Sequence, residues 1–452
     1  MAVITISAAG GNWNATGTWV GGVVPVAADT ILGVTGSGPL TVNVTSSIAG
    51  VDFSQGYTST LTMNAPLTIG GTLASYAVKF SSGMTIAGGS ATNIISLQGS
   101  AGLPGCSITS NGCVVPWLQF SVNTNQSFKT LLDNLTVTNF VHYTGNSNVI
   151  LNGFQMNLTN YISSAAGGGG TARMNGNTII RLNGANCSWN TSGTYNQYMP
   201  VGLPIVIDTP GTFTITGYMM TNPYGATGSG ITYVQGTVTG DKNLRIQVPS
   251  LVSAVNTTYT LGLNGAGTWN EIAIANNTGV YTSTFDLLSN LNFSKMYIMP
   301  QSGGGQAVSI DAIPTATNRS PIIFRGAGAL KGGEIYTSSQ QLYQYPNNTA
   351  GTRISFVSEI RLTPGVTHSA SYLSFIGGGT GNFNPVYVRS ATGGTQATLN
   401  LTGDQAVFYS NFNDINASGG NTIYTYGGTA SNSPNIQTIT SYVPTSASTF
   451  VN

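Results

Sequence analysis

The sequence contains little charge. Its 452 residues include 13 Lys and Arg, 12 Asp and Glu and 2 His, so 6% of the chain is charged and the formal net charge is +1. Soluble domains usually carry about 25% charged residues. A nucleic-acid-binding protein needs a basic surface to neutralise phosphates, and a coiled coil needs charges beside its hydrophobic seam, so neither class fits. Disorder normally combines low hydrophobicity with a high net charge, whereas 40% of this chain is hydrophobic.

Cysteine and histidine are also scarce. The three cysteines, Cys106, Cys113 and Cys187, form no Cys-x-x-Cys pair. Neither His142 nor His368 lies near a cysteine in the sequence, so we expect no metal site and no cofactor. Residues Cys106 and Cys113 bracket a short turn across which a disulfide could form. The favoured interpretation is nevertheless three small buried thiols.

Long apolar runs are missing as well. The most apolar stretch, residues 20–34, is interrupted by glycines, a proline and Asp29. A membrane-spanning helix needs about 20 predominantly apolar residues, so no membrane partner is expected. Residues 1–7 have neither the basic segment nor the apolar core of a signal peptide. We therefore expect a protein that is made in a cytosol and used elsewhere.

Short β-branched runs recur along the first half of the chain. They occupy residues 40–44, 60–63, 84–86, 106–109, 135–138, 156–159 and 178–180. Up to residue 109, and again from residue 135 onward, the steps of about 20–25 residues match one coil of a parallel β-solenoid, in which each coil contains two or three short strands. Equivalent side chains of stacked coils lie about 4.8 Å apart, so repeated like charges would repel each other. The solenoid thus gives a reason for the low charge, although the pattern also leaves antiparallel sandwiches open.

The chain is predicted to be all-β, with a division near residue 200. Residues 1–200 are predicted to form a parallel β-solenoid (β-helix). Residues 201–452 are predicted to form a further β-helix or a β-sandwich-like domain that includes an interaction region. Longer alternating runs, such as residues 212–218 and 231–237, indicate this change.

Segments at both ends of the chain carry a family resemblance. Residues 11–25 contain two tryptophans and a Gly-Gly-x-x-Pro turn, and repeats follow at 53–63 and 66–73, while residues 408–420 and 423–427 form a second region. These segments resemble the first coil, the repeats and the last coil of β-helical bacteriophage virion proteins. The resemblance implies a tail fibre, tailspike, spike or capsid-decorating protein, located in the virion and commonly trimeric. Its partners would be other virion proteins and a host surface glycan.

Four acidic residues suggest a site for chemistry. Asp286, Asp311, Glu334 and Glu359 follow one another at steps of 25, 23 and 25 residues, close to one coil. If that period holds, neighbouring carboxylates would lie about 5–10 Å apart, as glycoside hydrolysis requires. The competing and favoured interpretation is that nearby cations neutralise these acids between coils or across a subunit interface. No nucleophile elbow or phosphate-binding loop is present, so an enzyme is not predicted.

Tyrosines provide candidates for glycan binding. Tyr343, Tyr345, Tyr424 and Tyr426 could stack on sugar rings and form hydrogen bonds through their hydroxyl groups. Because Tyr343 and Tyr345 are separated by one residue, strand alternation places both of them on one face. Core or subunit-interface positions are the alternative for the same residues.

These observations favour a non-enzymatic structural component of a phage virion. It would be a fibre, a spike or a decoration protein that forms a homo-oligomer, with a trimer favoured, and that contacts a host glycan. Two alternatives remain open: a polysaccharide-degrading tailspike enzyme and a cell-surface β-solenoid adhesin.

Overall fold

The structure is a computed structural model of the chain. It describes residues 2–70, 76–98, 105–120, 127–143, 147–150, 153–164, 173–175, 179–191, 204–221, 229–248, 257–263, 265–276, 282–300, 320–338, 358–377 and 385–440. The chain forms two compact units, Met1–Asn243 and Leu244–Asn452. The predicted division near residue 200 falls inside the first unit. Each unit is built from stacked coils joined by parallel strand pairing, which confirms the predicted all-β solenoid.

The first unit has three sheets. Sheet A contains Val3–Thr5, Thr30–Val34, Gly50–Gln55, Tyr76–Lys79, Cys106–Thr109, Ser127–Leu131, Ser147–Ile150 and Arg173–Asn175. Sheet B contains Gly11–Asn12, Leu40–Val42, Thr60–Met63 and Thr85–Gly88. Sheet C contains Ser46–Ile48, Leu67–Ile69, Ile95–Leu97, Val114–Phe120, Leu135–Tyr143, Met156–Ser164, Ile180–Leu182, Cys187–Asn190, Ile205–Thr216 and Ser229–Gly240. The unit also contains the strand Tyr218–Thr221 and a 3-10 helix at Thr16–Thr18.

The strands of the first unit follow from alternating side chains. In Leu40–Val42 and Thr60–Met63, the aliphatic residues and methionine are buried and the threonines between them are partly exposed. Successive side chains of a strand point to opposite faces, so the apolar set fills the space enclosed by the coil. Many contacts between neighbouring coils join residues 21 to 25 positions apart, such as Asn139 with Asn160, while other pairings range from Thr30 with Gly50 to Tyr76 with Cys106. The spacings of 21 to 25 residues agree with the predicted period.

Two tryptophans close the first coil. The indole Nε1 of Trp19 donates a hydrogen bond to the carbonyl oxygen of Trp13 at 2.8 Å, and the two rings meet edge to face. The backbone N–H of Val20 donates to the carbonyl oxygen of Thr5 at 2.9 Å, so this part of the loop lies along the strand Val3–Thr5. The loop therefore satisfies backbone groups that an edge strand would otherwise leave open.

An aromatic ladder occupies the interior of the first unit. Phe140, Tyr161 and Trp189 are in register on three successive strands of sheet C, and all three side chains are buried. The Tyr161 and Trp189 rings stack with their centroids 4.0 Å apart. The repeat of the coil thus places one large ring above another.

A polar ladder runs along the same sheet. The Asn160 side-chain amide donates to Asn139 Oδ1 at 2.8 Å, and the Ser188 hydroxyl donates to Asn160 Oδ1 at 2.9 Å. Hydrogen bonds between identical or similar side chains on neighbouring coils are favourable because the register repeats. The ladder explains how this fold uses its many asparagine and serine residues.

The second unit also has three sheets. Sheet D contains Thr257–Gly262, Ser283–Leu287, Ser320–Gly326, Ser358–Leu362, Val386–Ser390, Ser410–Asn413 and Thr429–Ser431. Sheet E contains Asn243–Val248, Trp269–Asn276, Leu291–Pro300, Leu330–Ser338, Tyr372–Ile376, Gln405–Phe408, Ile423–Tyr426 and Ile436–Ile439. Sheet F contains Thr367–Ala370, Ala397–Leu401 and Ile415–Asn416. Of the two alternatives predicted for this half, a further β-helix is the observed one.

Coil length varies widely in the second unit. Asp286 contacts Arg325, which lies 39 residues later, whereas Asn411 contacts Thr429 after 18 residues. Long connections between some strands therefore alternate with very short ones. A single sequence period does not describe this unit.

Candidate functional site

Asp286 lies on sheet D and is paired with an arginine. The Arg325 guanidinium is in register with Asp286 on the next strand, and its Nη2 donates to Asp286 Oδ2 at 3.0 Å. Hydrogen bonding to this carboxylate raises the pKa of Arg325. The pair is partly exposed, so the attraction is screened by water and contributes little stability.

Glu359 lies on the same sheet and is much less accessible. Its side chain is 1% exposed, and Arg361 Nε donates to Glu359 Oε1 at 2.8 Å. On the strand between them, Arg325 is the register partner of Asp286 and Pro321 is the register partner of Glu359. Pro321 precedes Arg325 by four residues. Asp286 and Glu359 are thus two coils and four residues apart, about 16 Å at the usual strand and residue spacings. That separation is too large for a pair of glycosidase carboxylates.

Glu334 lies on sheet E rather than sheet D. Its carboxylate is 4.0 Å from Lys295 Nζ, and the Tyr336 hydroxyl donates a hydrogen bond to it. Lys295 is the register partner of Glu334, 39 positions earlier in the sequence. The equal steps that suggested an acidic row are therefore accidental, because the coils here do not have the period of the first unit.

The structure therefore does not bring the described candidate acids together. Asp286, Glu334 and Glu359 each contact a cation, and they occupy two different sheets. Asp311 lies outside the described residues. Two of these pairs join neighbouring coils and the third, Glu359 with Arg361, lies within one strand, and none of them places an acid and a base on either side of one bond.

A row of tyrosines occupies the outer surface of sheet E. We call it the tyrosine face and define it as Tyr297, Tyr336, Tyr372, Tyr424 and Tyr426. Each alternates with buried residues of its strand, so each side chain is directed away from the core. Tyr297 and Tyr336 are in register and stack with a centroid distance of 5.0 Å, and Tyr372 leans against Tyr336 at 5.9 Å.

The two glycan-binding candidates near the end of this surface differ from each other. Tyr424 is 42% exposed, whereas Tyr426 is half-buried and meets the rings of Phe408 and Tyr409 edge to face. Tyr424 is thus the better placed of the two to meet a ligand. Tyr343 and Tyr345 lie outside the described residues.

The histidines are buried and do not form a catalytic triad. The His142 Nδ1 is 3.0 Å from the Tyr161 hydroxyl, and the His368 Nδ1 accepts a hydrogen bond from the Leu330 N–H at 3.1 Å. Burial lowers the pKa of each imidazole to about 4, and a nearby lysine lowers it in both cases as well. Both rings are therefore neutral at pH 7.

Lys129 is the titratable residue that sequence analysis missed. It lies in sheet A with its side chain fully buried, and its register partner is Cys106. Burial lowers the pKa of Lys129 to about 8, an effect that the nearby Cys106 opposes. The signal was present in the strand Ser127–Leu131, where strict alternation places Lys129 on the same face as Leu131.

The three cysteines are free and buried, as expected from the sequence. Burial raises the pKa of Cys113 to about 11, which keeps this thiol protonated and unreactive. Within the described ranges, no group of three or more His, Cys, Asp or Glu side chains is arranged to hold a metal ion. No helix in the described part of the chain has the length and apolar character needed to cross a bilayer.

Comparisons with known proteins give no relatives. No protein-family model, no curated protein and no solved structure matches the chain.

Proposed function

We propose that the chain is a non-enzymatic structural component of a phage virion, a fibre, spike or decoration protein that presents a glycan-binding surface. The observation that carries the proposal is the parallel stacking of coils in each unit, because hydrogen bonds then join each coil to the next along the backbone. Such a stack holds surface side chains at fixed intervals without requiring a metal or a disulfide.

The separation of the described acidic candidates supports a scaffold rather than an enzyme. The three described acidic candidates contact cations and are distributed over two sheets. The buried histidines are held neutral inside the two units. Meanwhile the tyrosine face presents several aromatic side chains in register on an outer surface, which suits binding.

Labelling of particles tests the proposal directly. Gold-conjugated antibodies against the purified chain are applied to virus particles isolated from the source material and examined by electron microscopy. We expect label at a fixed position on the particles. Label that is absent from particles and recovered in the soluble fraction would contradict a virion location.

Two solution measurements test the remaining parts. Light scattering coupled to size-exclusion chromatography should give three chains per assembly, whereas a monomer would contradict the trimer. Incubation with host polysaccharide should release no new reducing ends. Release that disappears in Glu334→Gln or Glu359→Gln would establish a depolymerase instead.

A further inference from the structure

Charged residues that face each other on neighbouring strands of this fold are generally opposite in sign. The described pairs of this kind include Asp52 with Lys79, Asp286 with Arg325, and Lys295 with Glu334. A stack of coils favours this arrangement, because residues in register lie on strands that are only about 4.8 Å apart. Like charges at such positions repel each other.

Arg361 and Arg389 depart from this pattern. The two residues are in register on neighbouring strands of sheet D, and both are positively charged. Among the strand pairings that the structure describes, they form the one pair of like charges. Ile360 and Leu362, which flank Arg361, are buried, and so is Val388, which precedes Arg389. Alternation along each strand therefore directs both arginine side chains to the outer surface of the sheet.

Most of the N–H groups of Arg361 are not used by the protein. Its Nε donates to Glu359 Oε1 at 2.8 Å within the same strand. No acceptor in the described part of the chain bonds to its two terminal nitrogens. The side chain is 37% exposed, so the guanidinium can be reached from solvent. A guanidinium has five N–H donors, and four of them remain for a ligand.

Arg389 has no hydrogen-bond acceptor among the described residues. Its Nε is buried without a hydrogen-bond partner, and no described acid forms an ion pair with it. The guanidinium carbon lies 4.9 Å from the centroid of the Tyr387 ring, which holds the cation on the outer face of its own strand. Buried N–H groups normally have an acceptor, so the donors of this side chain point to a ligand that supplies one.

The charge at this position favours an anion. Glu359, Arg361 and Arg389 together have a formal charge of +1, from two cations and one carboxylate. Asp414 comes one residue after the register partner of Arg389, but its carboxylate accepts hydrogen bonds from the Asn432 amide and from a backbone N–H. A second negative group beside the arginines would restore the alternation of charge that the other pairs show.

We propose that Arg361 and Arg389 form a site for an oxyanion, namely a carboxylate, sulfate or phosphate group that is carried by an acidic polysaccharide. A planar guanidinium donates two parallel N–H bonds to a pair of oxygens, and carboxylates, sulfates and phosphates provide such pairs. An oxyanion between the two arginines replaces one repulsion with two attractions. The oxyanion chemistry follows from the arginines themselves, whereas the polysaccharide as its carrier rests on the proposed function.

Calorimetric titration of the full chain tests the site. The probes are hexagalacturonate, its full methyl ester as the uncharged match, a chondroitin sulfate hexasaccharide, inorganic phosphate and inorganic sulfate. We expect binding of at least one acidic oligosaccharide, no binding of the methyl ester, and weaker binding as sodium chloride is added. Arg389→Gln should weaken the affinity about tenfold or more, and tenfold is equivalent to about 1.4 kcal/mol.

Further variants separate charge from geometry. Arg389→Lys keeps the positive charge and loses the planar pair of donors, so its affinity should fall between those of the original chain and Arg389→Gln. Arg361→Gln should weaken binding in the same way, and circular dichroism should show that every variant is folded. The matched control is Lys295→Gln, which removes one positive charge from an exposed ion pair on sheet E and should bind like the original chain.

Three results would overturn the site. They are no binding of any acidic probe, an equal loss of affinity in Arg389→Gln and Lys295→Gln, and equal binding of hexagalacturonate and its methyl ester. Binding of inorganic phosphate or sulfate alone would overturn the polysaccharide carrier and support the oxyanion site. Each result is independent of particle labelling, so the site can fail while the virion location holds. Conversely, absence of label from particles together with arginine-dependent binding would leave an anion-binding protein that acts elsewhere.

Discussion

Replacing Lys129 with methionine should remove a large pH dependence of stability. The Lys129 side chain is fully buried in sheet A, and its pKa is lowered from the ordinary 10.5 to about 8. Between these two values the unfolded chain binds a proton that the folded chain does not. The free energy of unfolding therefore rises with pH in this window. The increase is complete above about pH 10.5 and is lost as the pH falls through about 8.

The magnitude follows from the size of the pKa change. Each pH unit corresponds to about 1.4 kcal/mol, so the free energy of unfolding should increase by about 3 kcal/mol between pH 8 and 10.5. Other groups that titrate at high pH are common to both proteins. The difference in unfolding free energy between the original chain and Lys129→Met therefore reports on the lysine alone. Between pH 8 and 10.5 this difference should change by about 3 kcal/mol in favour of the original chain.

Urea unfolding at pH 7.5, 9 and 10.5 measures this difference. The matched control is Lys79→Met, because Lys79 is also in sheet A but its side chain is 42% exposed and paired with Asp52. The control should follow the pH dependence of the original chain. If the curves of Lys129→Met and the original chain stay parallel across the whole range, folding does not lower the pKa of Lys129.

Three further predictions concern the interior, the ion pairs and the polar ladder. As the pH falls from 6.5 through about 4, the buried neutral His142 should cost the original chain about 1.4 kcal/mol per unit, and His142→Phe should lack this loss. Arg361→Met removes a hydrogen bond to the buried Glu359 carboxylate and should destabilise by about 1–3 kcal/mol, while Lys295→Met at an exposed pair should cost less than about 1 kcal/mol. Asn160→Ala removes two ladder hydrogen bonds and should raise the rate of amide exchange in its strand, with a loss of about 1–3 kcal/mol.

Each of these has a clear contrary result. Equal acid denaturation of the original chain and His142→Phe would mean that the imidazole is protonated in the folded state. Equal thermal shifts for the two ion-pair variants would mean that burial does not distinguish the pairs. Unchanged exchange in the asparagine variant would remove the ladder as a source of stability.

The fold could be predicted because local pattern and coil period agree in the first unit. Runs such as Thr60–Met63 alternate, and hydrogen bonds across 21 to 25 residues preserve the spacing seen in the sequence. The site could not be predicted in the same way. The four candidate acids follow one another at nearly equal steps in the sequence. Asp286, however, contacts Arg325 across 39 residues, so sequence spacing does not indicate proximity in this unit.

The coils of the second unit differ in length, yet each contributes the same rise along the stack. Contacts between neighbouring coils close after 39 residues at Asp286, 18 at Asn411 and 13 at Thr422, while the strand spacing stays at about 4.8 Å. Residues inserted into a connection widen a coil without lengthening the stack. Insertions can therefore change the surface residues of one coil, while the distance between side chains on the other coils stays the same.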